Sequence, residues 1–373
     1  MKKLLLLPLI AISLVATAQT TAIPDANFEQ ALINLGYDNV LDGEVLTANI
    51  SGVTYLDVNG SNISDLTGIQ DFTALTALRC SWNQLTSLDV SQNTTLTGLY
   101  CHNNQLINLD VSQNTALTSL DCGDNNLTSL DITGATALIT VWCFNNQLTS
   151  LDVTQNTALV WLWCSFNQLT SVDVSQNTAL DELNFGYNQL TSLNVTGAAA
   201  LTELNCEYNQ LTSLDVTQNT ALVELACNAN NLFCLNVANG NNTNMTSFYF
   251  NASANPNLSC IEVDDAAYST ANWTNIDPAS SFSANCNNLC VPSSINEAAL
   301  NTFELYPNPT TSTITLNNLQ LGDEVSVYNT LGQRVFNNKV SAVTLSINLS
   351  ELGNNGIYFV RVDDISERVL LSR

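Results

Sequence analysis

Basic side chains are scarce in this chain. It contains eight Lys and Arg residues and one His against 33 Asp and Glu residues, which gives a formal net charge of −25. Between positions 21 and 302, only Arg79 and His102 are basic. Proteins that bind nucleic acid neutralise phosphates with clustered Lys and Arg, so the composition excludes nucleic acid as a partner. The acidity is typical of a protein that stays soluble in an extracellular medium.

Long apolar runs are also missing after the N-terminus. Residues 4–15 form one apolar run behind Lys2 and Lys3, and small residues follow up to Ala18. This pattern predicts a secretory signal peptide, residues 1–18, cleaved between Ala18 and Gln19. Its removal takes two of the eight basic residues and changes the net charge from −25 to −27. A helix that spans a bilayer needs ~20 apolar residues, so no transmembrane segment is expected.

Residues that usually perform catalysis are few. The single histidine, His102, lies at an exposed strand position, and no pair of carboxylates falls in a predictable pocket. We also find no metal-binding or phosphate-binding motif. The sequence therefore predicts that the protein is not an enzyme and has no catalytic, cofactor-binding or metal-binding residues.

Cysteine, by contrast, is abundant and regularly spaced. Seven cysteines share one 21-residue register whose single gap holds Phe185, and an asparagine follows three residues after each position. A fixed period indicates stacked units that contact only their neighbours. We expect the thiols to point inward as small hydrophobic groups and the amides to satisfy backbone groups of the turns. The two columns are Cys80, Cys101, Cys122, Cys143, Cys164, Cys206 and Cys227, and Asn83, Asn104, Asn125, Asn146, Asn167, Asn188, Asn209 and Asn230.

Each unit begins with the pattern LxxLxCxxNxL, and its second half repeats the pattern as LTxLxVxxN. The first half resembles the leucine-rich repeat signature, with cysteine where leucine is usual. The nested halves are similar to the 21-residue class of bacterial repeats. Together with the period-2 alternation in both halves, this predicts a β-rich solenoid with parallel strands on both sides and little helix. Eight units start at Leu75, Leu96, Leu117, Leu138, Leu159, Leu180, Leu201 and Leu222.

The ends of the repeat array have their own patterns. Phe28, Leu32 and Leu35 follow helical spacing, with Asp25 or Asn27 as N-cap and Gly36 as the stop. This segment resembles the N-terminal caps of bacterial leucine-rich repeat proteins. The expected organisation is a signal peptide (1–18), an N-terminal helical cap (19–52), leucine-rich repeats (53–263), a C-terminal cap (264–290), a linker (291–302) and a C-terminal sorting domain (303–373).

Four cysteines lie outside the 21-residue register. Cys234 and Cys260 occupy matching contexts on successive turns, and Cys286 and Cys290 follow them. Neighbouring turns supply the Cα separation of ~4.4–6.8 Å that a disulfide requires, and export permits oxidation. Cys234 with Cys260 and Cys286 with Cys290 is one pairing, and Cys260 with Cys286 is the alternative. The sequence does not choose between them.

The outward positions of the second half-repeat are uniform and polar. An aspartate ladder runs along them, and calcium bridging this ladder is the one cofactor hypothesis that the sequence offers. Calcium takes about 6–8 oxygen ligands, and a single row of carboxylates offers few. Local capping of turn amides by Asp and Ser is therefore the favoured interpretation. The ladder comprises Asp89, Asp110, Asp131, Asp152, Asp173 and Asp215, with Asn194 in the same column.

The outward positions of the first half-repeat differ from copy to copy. Aromatic and acidic side chains concentrate there, including four of the five tryptophans. Contiguous exposed aromatic surface usually marks a recognition site. The sequence thus predicts a ligand-binding face made of Arg79, Trp82, Tyr100, His102, Asp121, Trp142, Phe144, Trp161, Trp163, Phe166, Glu182, Tyr187, Glu203, Glu207, Tyr208 and Glu224.

The last seventy residues follow another pattern. They contain the box Tyr306-Pro307-Asn308-Pro309, a Gly-Gln-Arg-Val turn at 332–335 and the strand Gly356–Val362. These motifs resemble the type A C-terminal sorting domain of the Bacteroidota type IX secretion system. The resemblance implies a small immunoglobulin-like β-sandwich that the type IX secretion machinery recognises. It also implies that the domain is usually removed at the outer membrane, where the cargo is released or attached to the surface.

These patterns together predict a secreted or cell-surface leucine-rich repeat protein. It would recognise a protein or glycan through its variable aromatic and acidic strand face. The expected localisation is extracellular or attached to the outer cell surface. The alternative is a structural surface adhesin that acts by self-association.

Overall fold

The computed structural model describes residues 18–246, 248–286 and 304–371, with gaps at 309, 318, 320–322, 330–332, 353–355 and 363–364. Its contacts divide the chain into two units, 1–294 and 295–373. The predicted signal peptide up to residue 17, Cys290 and the linker 291–302 lie outside the described residues. The longest α-helix in the described part has nine residues, and no helix there could cross a bilayer.

The first unit is a β-solenoid of about 11 turns. One side of it is a sheet of ten parallel strands, one from each successive turn, paired in register across neighbouring repeats. Leu162, for example, pairs with Val141 on one side and Leu183 on the other. The strands are Tyr55–Asp57, Ala77–Arg79, Gly98–Tyr100, Ser119–Asp121, Thr140–Trp142, Trp161–Trp163, Glu182–Asn184, Glu203–Asn205, Glu224–Ala226 and Phe250–Asn251.

The opposite side of the solenoid is a sheet only in part. One pair of parallel strands and one sheet of four parallel strands lie there, whereas the turns around Leu88, Leu151 and Leu193 form no strand. The prediction of strands on both sides is therefore correct for only some turns. The strands are Asn108–Asp110 with Ser129–Asp131, and Ser213–Asp215, Cys234–Asn236, Cys260–Glu262 and Ser281–Ser283.

Asparagine side chains explain how this side holds together without a continuous ladder. Asn114 is fully buried, and its Nδ2 donates to the carbonyls of Val90 at 2.9 Å and Asn93 at 3.0 Å in the preceding turn. Because the amide bridges two turns, it satisfies backbone carbonyls that a strand partner would otherwise bind. The same contact to the preceding turn recurs at Asn93, Asn156, Asn177 and Asn219.

The interior consists of stacked columns of apolar side chains. Leucines of both half-repeats, the valine column and all seven register cysteines lie inside, and Phe185 fills the cysteine position of its own turn. The seven thiols are free, and burial alone raises the pKa of Cys80 to about 12. The prediction that these cysteines belong to the core is confirmed.

A helix, Ala26–Asn34, lies at the predicted N-terminal position. Asp25 is its N-cap, because one carboxylate oxygen accepts from the N–H groups of Asn27 at 2.8 Å and Phe28 at 3.1 Å. Phe28 and Leu32 are buried, whereas Leu35 is exposed because it follows the last helical residue. A second helix, Thr47–Ile50, follows an antiparallel pair formed by Thr20–Ala22 and Glu44–Leu46.

The last turns of the first unit are covered by a third helix, Ala266–Asn272, whose N-cap is Asp265. Trp273 follows it, stacks on Phe250 at 4.1 Å between ring centroids, and donates from Nε1 to the carbonyl of Met245 at 2.7 Å. The described residues also include short 3-10 helices at Ile69–Asp71, Asn242–Asn244 and Leu349–Glu351.

The second unit contains two antiparallel sheets with their own buried core. Ile314, Val325 and Val360 are fully buried in this core. The immunoglobulin-like sandwich remains a prediction. One sheet contains Glu304–Tyr306, Thr313–Asn317 and Leu345–Asn348, and the other contains Glu324–Asn329, Arg334–Lys339, Gly356–Val362 and Ile365–Leu371.

Candidate functional site

The variable face is the outer surface of the ten-stranded sheet together with the turn that follows each strand. Strand side chains alternate in direction, so the central residue of each strand points inward while its two neighbours point outward. Equivalent residues stack ~4.8 Å apart on successive turns. Every outward position of the repeat thus forms a column that runs along the solenoid.

The register asparagines fix the turn beside this face. Asn146 is nearly fully buried, and its Nδ2 donates to the carbonyls of Cys122 and Cys143, both at 3.1 Å. Its Oδ1 accepts from the N–H of Leu127 at 2.9 Å. The amide therefore connects two turns and holds the backbone after each strand in one conformation, which confirms its predicted structural role.

The residue just before each asparagine of the 21-residue register has a left-handed backbone, a feature that the sequence pattern did not predict. Its φ angle lies between 50° and 58° in the repeats. Asn and Asp adopt this conformation most readily after glycine, and three turns carry them. Four other turns carry large aromatic side chains there. The column comprises Trp82, Asn103, Asp124, Asn145, Phe166, Tyr187, Tyr208 and Ala229.

The aromatic members of this column are exposed and stack on one another. Phe166, Tyr187 and Tyr208 form a continuous stack, with ring centroids 4.3 Å and 4.2 Å apart. Their exposed fractions are 51%, 38% and 47%, and that of Trp82 is 62%. Flat aromatic surface is thus presented to solvent along three consecutive turns.

The middle of the variable face carries the tryptophans. The rings of Trp142 and Trp163 stack with centroids 5.4 Å apart, and Trp161 is exposed on the neighbouring column. Phe144 lies over Gly123, where a Cβ would approach its ring to 2.7 Å. Glycine at that position therefore makes room for the aromatic side chain.

The N-terminal end of the face contains its few basic groups. The Arg79 guanidinium lies over the ring of Tyr100 at 5.1 Å and near that of Tyr55 at 6.0 Å. His102 Nδ1 contacts Asp121 Oδ2 at 2.8 Å and Ser81 Oγ at 3.0 Å. Burial raises the pKa of Asp121, and this effect exceeds the lowering caused by the neighbouring His102.

These three side chains do not form a catalytic triad. A triad needs the serine on one imidazole nitrogen and the carboxylate on the other, whereas Ser81 and Asp121 share Nδ1 of His102. Ser81 is also fully buried and offers no nucleophile to a substrate. The arrangement orients the His102 ring beside Trp82, whose ring it meets edge-on at 6.0 Å.

The C-terminal end of the face is acidic. Glu182, Glu203 and Glu224 pair in register on three neighbouring strands. Burial and then the neighbouring carboxylates raise the pKa of Glu203, and the same two causes raise that of Glu224. A cavity of about 100 Å³ lies here, and Trp163, Asn184 and Asn205 line it together with the three glutamates.

The predicted face residues therefore share one surface, and all but Asp121 are at least partly exposed. Asp121 is 7% exposed because it lies against His102. Tyr55, which was not among the predicted residues, is 50% exposed and extends the face by one strand. The Leu56-Asp-Val-Asn59 pattern of that turn is the signal that could have included it.

The aspartate ladder on the opposite side is engaged in local hydrogen bonds. Asp89 Oδ1 accepts from the N–H of Ser91, and Asp152 Oδ1 accepts from the N–H of Thr154, both at 2.9 Å. Hydrogen bonds to Ser91 and to Thr154 lower the pKa of Asp89 and Asp152 respectively. These contacts favour turn capping, and calcium on the ladder stays a prediction.

One acidic group outside the ladder has a spacing suited to a metal ion. Glu29, Asp38 and Asp42 bring carboxylate oxygens within 4.8 Å of one another, and they form the one such group among the described residues. Glu29 Oε1 accepts from the N–H groups of Asp42 and Gly43, both at 2.7 Å. These bonds account for the buried Glu29 carboxylate as a loop-fixing side chain.

A disulfide joins Cys260 and Cys286, with Cα atoms 5.8 Å apart. This confirms one of the two predicted pairings and excludes the pair Cys234–Cys260. Stacked residues of adjacent parallel strands keep their Cβ atoms ~4.8 Å apart, which exceeds the ~3.8 Å typical of a disulfide. Cys234 is disulfide-bonded as well, and Cys290 lies outside the described residues.

Comparison with known proteins identifies both units. Residues 304–370 match the secretion system C-terminal sorting domain. A solved structure, the functional domain of internalin J from Listeria monocytogenes, includes a cysteine ladder; it is 32% identical with a TM-score of 0.52, over 66% of this chain and 67% of that chain. This chain is a leucine-rich repeat protein. Its sorting domain directs the repeat protein to secretion and the outer cell surface.

Other similarities are more limited. Curated internalin J from Listeria monocytogenes serotype 4b (strain F2365) is 37% identical over 71 residues, which are 19% of this leucine-rich repeat protein and only 8% of internalin J. A leucine-rich repeat protein of Leptospira interrogans is 24% identical over 56% of this chain and 53% of that chain, with a TM-score of 0.43. The assignment to Bacteroidota remains a prediction.

Proposed function

We propose that this leucine-rich repeat protein is a secreted or surface-attached binding protein that recognises a protein or a glycan through the variable face. The main support is the set of exposed, stacked aromatic rings. It comprises Phe166, Tyr187 and Tyr208, together with the stacked pair Trp142 and Trp163. Aromatic side chains are enriched where proteins bind each other, and indole rings also stack on sugars.

In this proposal the protein binds a ligand and does not catalyse a reaction. The arrangement of Ser81, His102 and Asp121 supports this, because the hydroxyl and the carboxylate contact the same ring nitrogen. The type IX secretion machinery would be a second partner, engaged by residues 303–373 before the repeat unit reaches its ligand.

We further propose that both ends of the array are structural caps. The helix Ala26–Asn34 buries Phe28 against Phe72 of the first turns, with ring centroids 6.3 Å apart. A solenoid needs such covers because its terminal turns otherwise expose core edges. The boundaries 19–52 and 264–290 for the caps, and an immunoglobulin-like sandwich for the sorting domain, belong to this proposal.

Binding of the purified mature protein to a glycan array and a surface-protein panel tests the proposed function. The variant Trp142→Ala/Trp163→Ala removes the stacked pair, and Ile107→Ala/Ile139→Ala is the control, since both isoleucines are exposed outside the face. We expect a ligand whose binding falls at least tenfold in the first variant and less than twofold in the second. Absence of any ligand, or equal loss in both folded variants, would contradict the proposal.

Self-association as a structural adhesin is the second candidate function. The flat aromatic stack favours it, because identical surfaces of two copies pack well when they are apolar. Sedimentation of the wild-type protein over a hundredfold concentration range separates the two candidates. Growth in mass with concentration that the double tryptophan variant abolishes would support the adhesin and not the ligand-binding protein.

A further inference from the structure

The C-terminal part of the variable face has a chemistry that points to one class of ligand. Three glutamates stack on neighbouring strands, and no Lys, Arg or His occurs between residues 103 and 333. The ion pairs His102–Asp121 and Arg334–Glu324 involve none of the three. Residues 103–333 therefore offer the stacked carboxylates no basic counter-charge.

The cavity beside these glutamates has the walls that a cationic side chain requires. Its lining includes the indole of Trp163 and the amides of Asn184 and Asn205, together with the carboxylates. An ammonium or guanidinium group there would face several carboxylates and lie against an aromatic ring, and both kinds of contact attract a cation. The volume of about 100 Å³ suits the end of one side chain rather than a sugar ring with its neighbours.

The turns beside the cavity carry the exposed, stacked side chains of Tyr187 and Tyr208. Tyr187 and Tyr208 have φ angles of 57° and 50°, a conformation that bulky residues disfavour. Asn103 and Asn145 hold the same position in other turns with the residue type that this backbone prefers. Tyr187 and Tyr208 follow the strands that carry Glu182 and Glu203, whereas Trp82 and Phe166 hold the same position in turns without a glutamate.

We propose that this end of the variable face, defined by Trp163, Glu182, Glu203, Glu224, Tyr187 and Tyr208, docks a basic segment of a partner protein. One Lys or Arg side chain of the partner enters the cavity, and the tyrosine stack contacts the apolar part of the same segment. The inference rests on the proposed binding function and specifies its ligand. The same patch of a second copy does not fit, because it would bring the same carboxylates into contact.

Binding of fluorescently labelled octalysine to the full mature protein, measured by anisotropy at physiological salt, tests the inference. Glu203→Gln/Glu224→Gln removes two charges at the cavity and keeps the side-chain shape. Asp110→Asn/Asp131→Asn removes two charges from the opposite ladder, where Asn194 already occurs naturally. We expect at least tenfold weaker binding in the first variant and less than twofold in the second. Equal losses would mean non-specific attraction and would overturn the inference.

A second variant separates recognition from folding. Tyr187→Asn/Tyr208→Asn places the residue type of Asn103 in both left-handed positions. We expect octalysine to bind about fivefold more weakly while the unfolding temperature stays equal or rises. Unchanged binding would remove the tyrosines from the site. If calcium binds at the cavity and the affinity for octalysine is the same in Glu203→Gln/Glu224→Gln as in the wild type, the site holds a metal cation and not a basic segment.

The two proposals fail in distinguishable ways. Suppose that the ligand found on the glycan array or the protein panel no longer binds Trp142→Ala/Trp163→Ala but still binds Glu203→Gln/Glu224→Gln. The binding function then stands, and the inference that the ligand is basic is wrong. If that ligand is a neutral glycan, the inference is likewise overturned. If nothing on the glycan array or the protein panel binds, the proposed function itself fails.

Discussion

Single asparagines determine how this solenoid closes each turn. The Asn146 side chain contacts four backbone groups: the two N–H groups of Nδ2 are shared among the carbonyls of Cys122, Cys143 and Phe144, and Oδ1 accepts from the N–H of Leu127. A buried backbone group without a partner costs about 1–3 kcal/mol. One side chain therefore offsets the desolvation of several backbone groups, and the 21-residue period repeats this contribution along the array.

At the residue scale we predict that Asn146→Ala lowers the free energy of unfolding by about 3 kcal/mol or more, because it leaves several buried polar groups unpaired. Asn126→Ala is the control, since Asn126 lies nearby but is exposed, and surface changes typically stay within about 0.5 kcal/mol. Urea unfolding followed by far-UV circular dichroism measures both. Equal stability of the two variants would show that the ladder amides contribute little.

Columns of equivalent residues are the relevant elements of this fold. A stacked column can bury thiols, cap turns or present rings, depending on which residue the repeat places there. The glutamate column is destabilising, because Glu182, Glu203 and Glu224 stack on neighbouring strands and residues 103–333 contain no basic side chain. Burial, followed by these neighbouring charges, raises the pKa of Glu203. The folded state thus holds the Glu203 proton more tightly than the unfolded chain does.

At the element scale this linkage has a definite sign. Ionised Glu203 destabilises the folded protein above its folded pKa, and the cost disappears as the pH falls below the unfolded value of ~4.3. We predict that Glu203→Gln raises the unfolding temperature at pH 7 by about 1–3 °C, the size of a cross-strand charge pair. At pH 3.5 the two proteins should unfold at the same temperature in calorimetry.

Asp152→Asn provides the opposite control for that measurement. Hydrogen bonds from the side chain and backbone of Thr154 lower the pKa of Asp152, so its ionised form stabilises the folded state. That contribution is present above the unfolded pKa and is lost as the pH falls through the folded pKa. The variant should therefore unfold at an equal or lower temperature at pH 7. A gain like that of Glu203→Gln would mean that net charge alone sets the effect.

At the scale of the whole molecule, the two units have separate hydrophobic cores. The repeat unit is stabilised by contacts between neighbouring turns, and residues 304–370 carry the sorting domain. Folding of the repeats and export of the chain are therefore assigned to different parts of the sequence.

This separation predicts the outcome of a truncation. Removing residues 304–373 should leave the unfolding temperature of the repeat unit within about 2 °C, since its core loses no member. In a bacterium with a type IX system, the same truncation should confine the protein to the periplasm instead of the medium or outer surface. Immunoblots of cell fractions measure this, with the full chain as the control. Normal export of the truncated protein would contradict the assigned role of the sorting domain.

Much of this architecture was predictable from the sequence, because residues at the same position of successive repeats have the same structural surroundings. The 21-residue spacing of Cys80 and Cys101 identifies the interior column, and Asn83 identifies the turn. The sorting domain was predictable because its motifs are specific. Any residue in register must share its column, whatever the details of the chain path.

The tertiary structure alone decided what the period does not encode. The partner of Cys260 depends on the non-repeating segment that returns Cys286 to it. The left-handed backbone of Tyr187 follows from bonds that Asn188 makes to the preceding turn. The burial of Asp121 depends on His102 one turn away. Each depends on contacts between turns, whose geometry the sequence pattern aligns but does not specify.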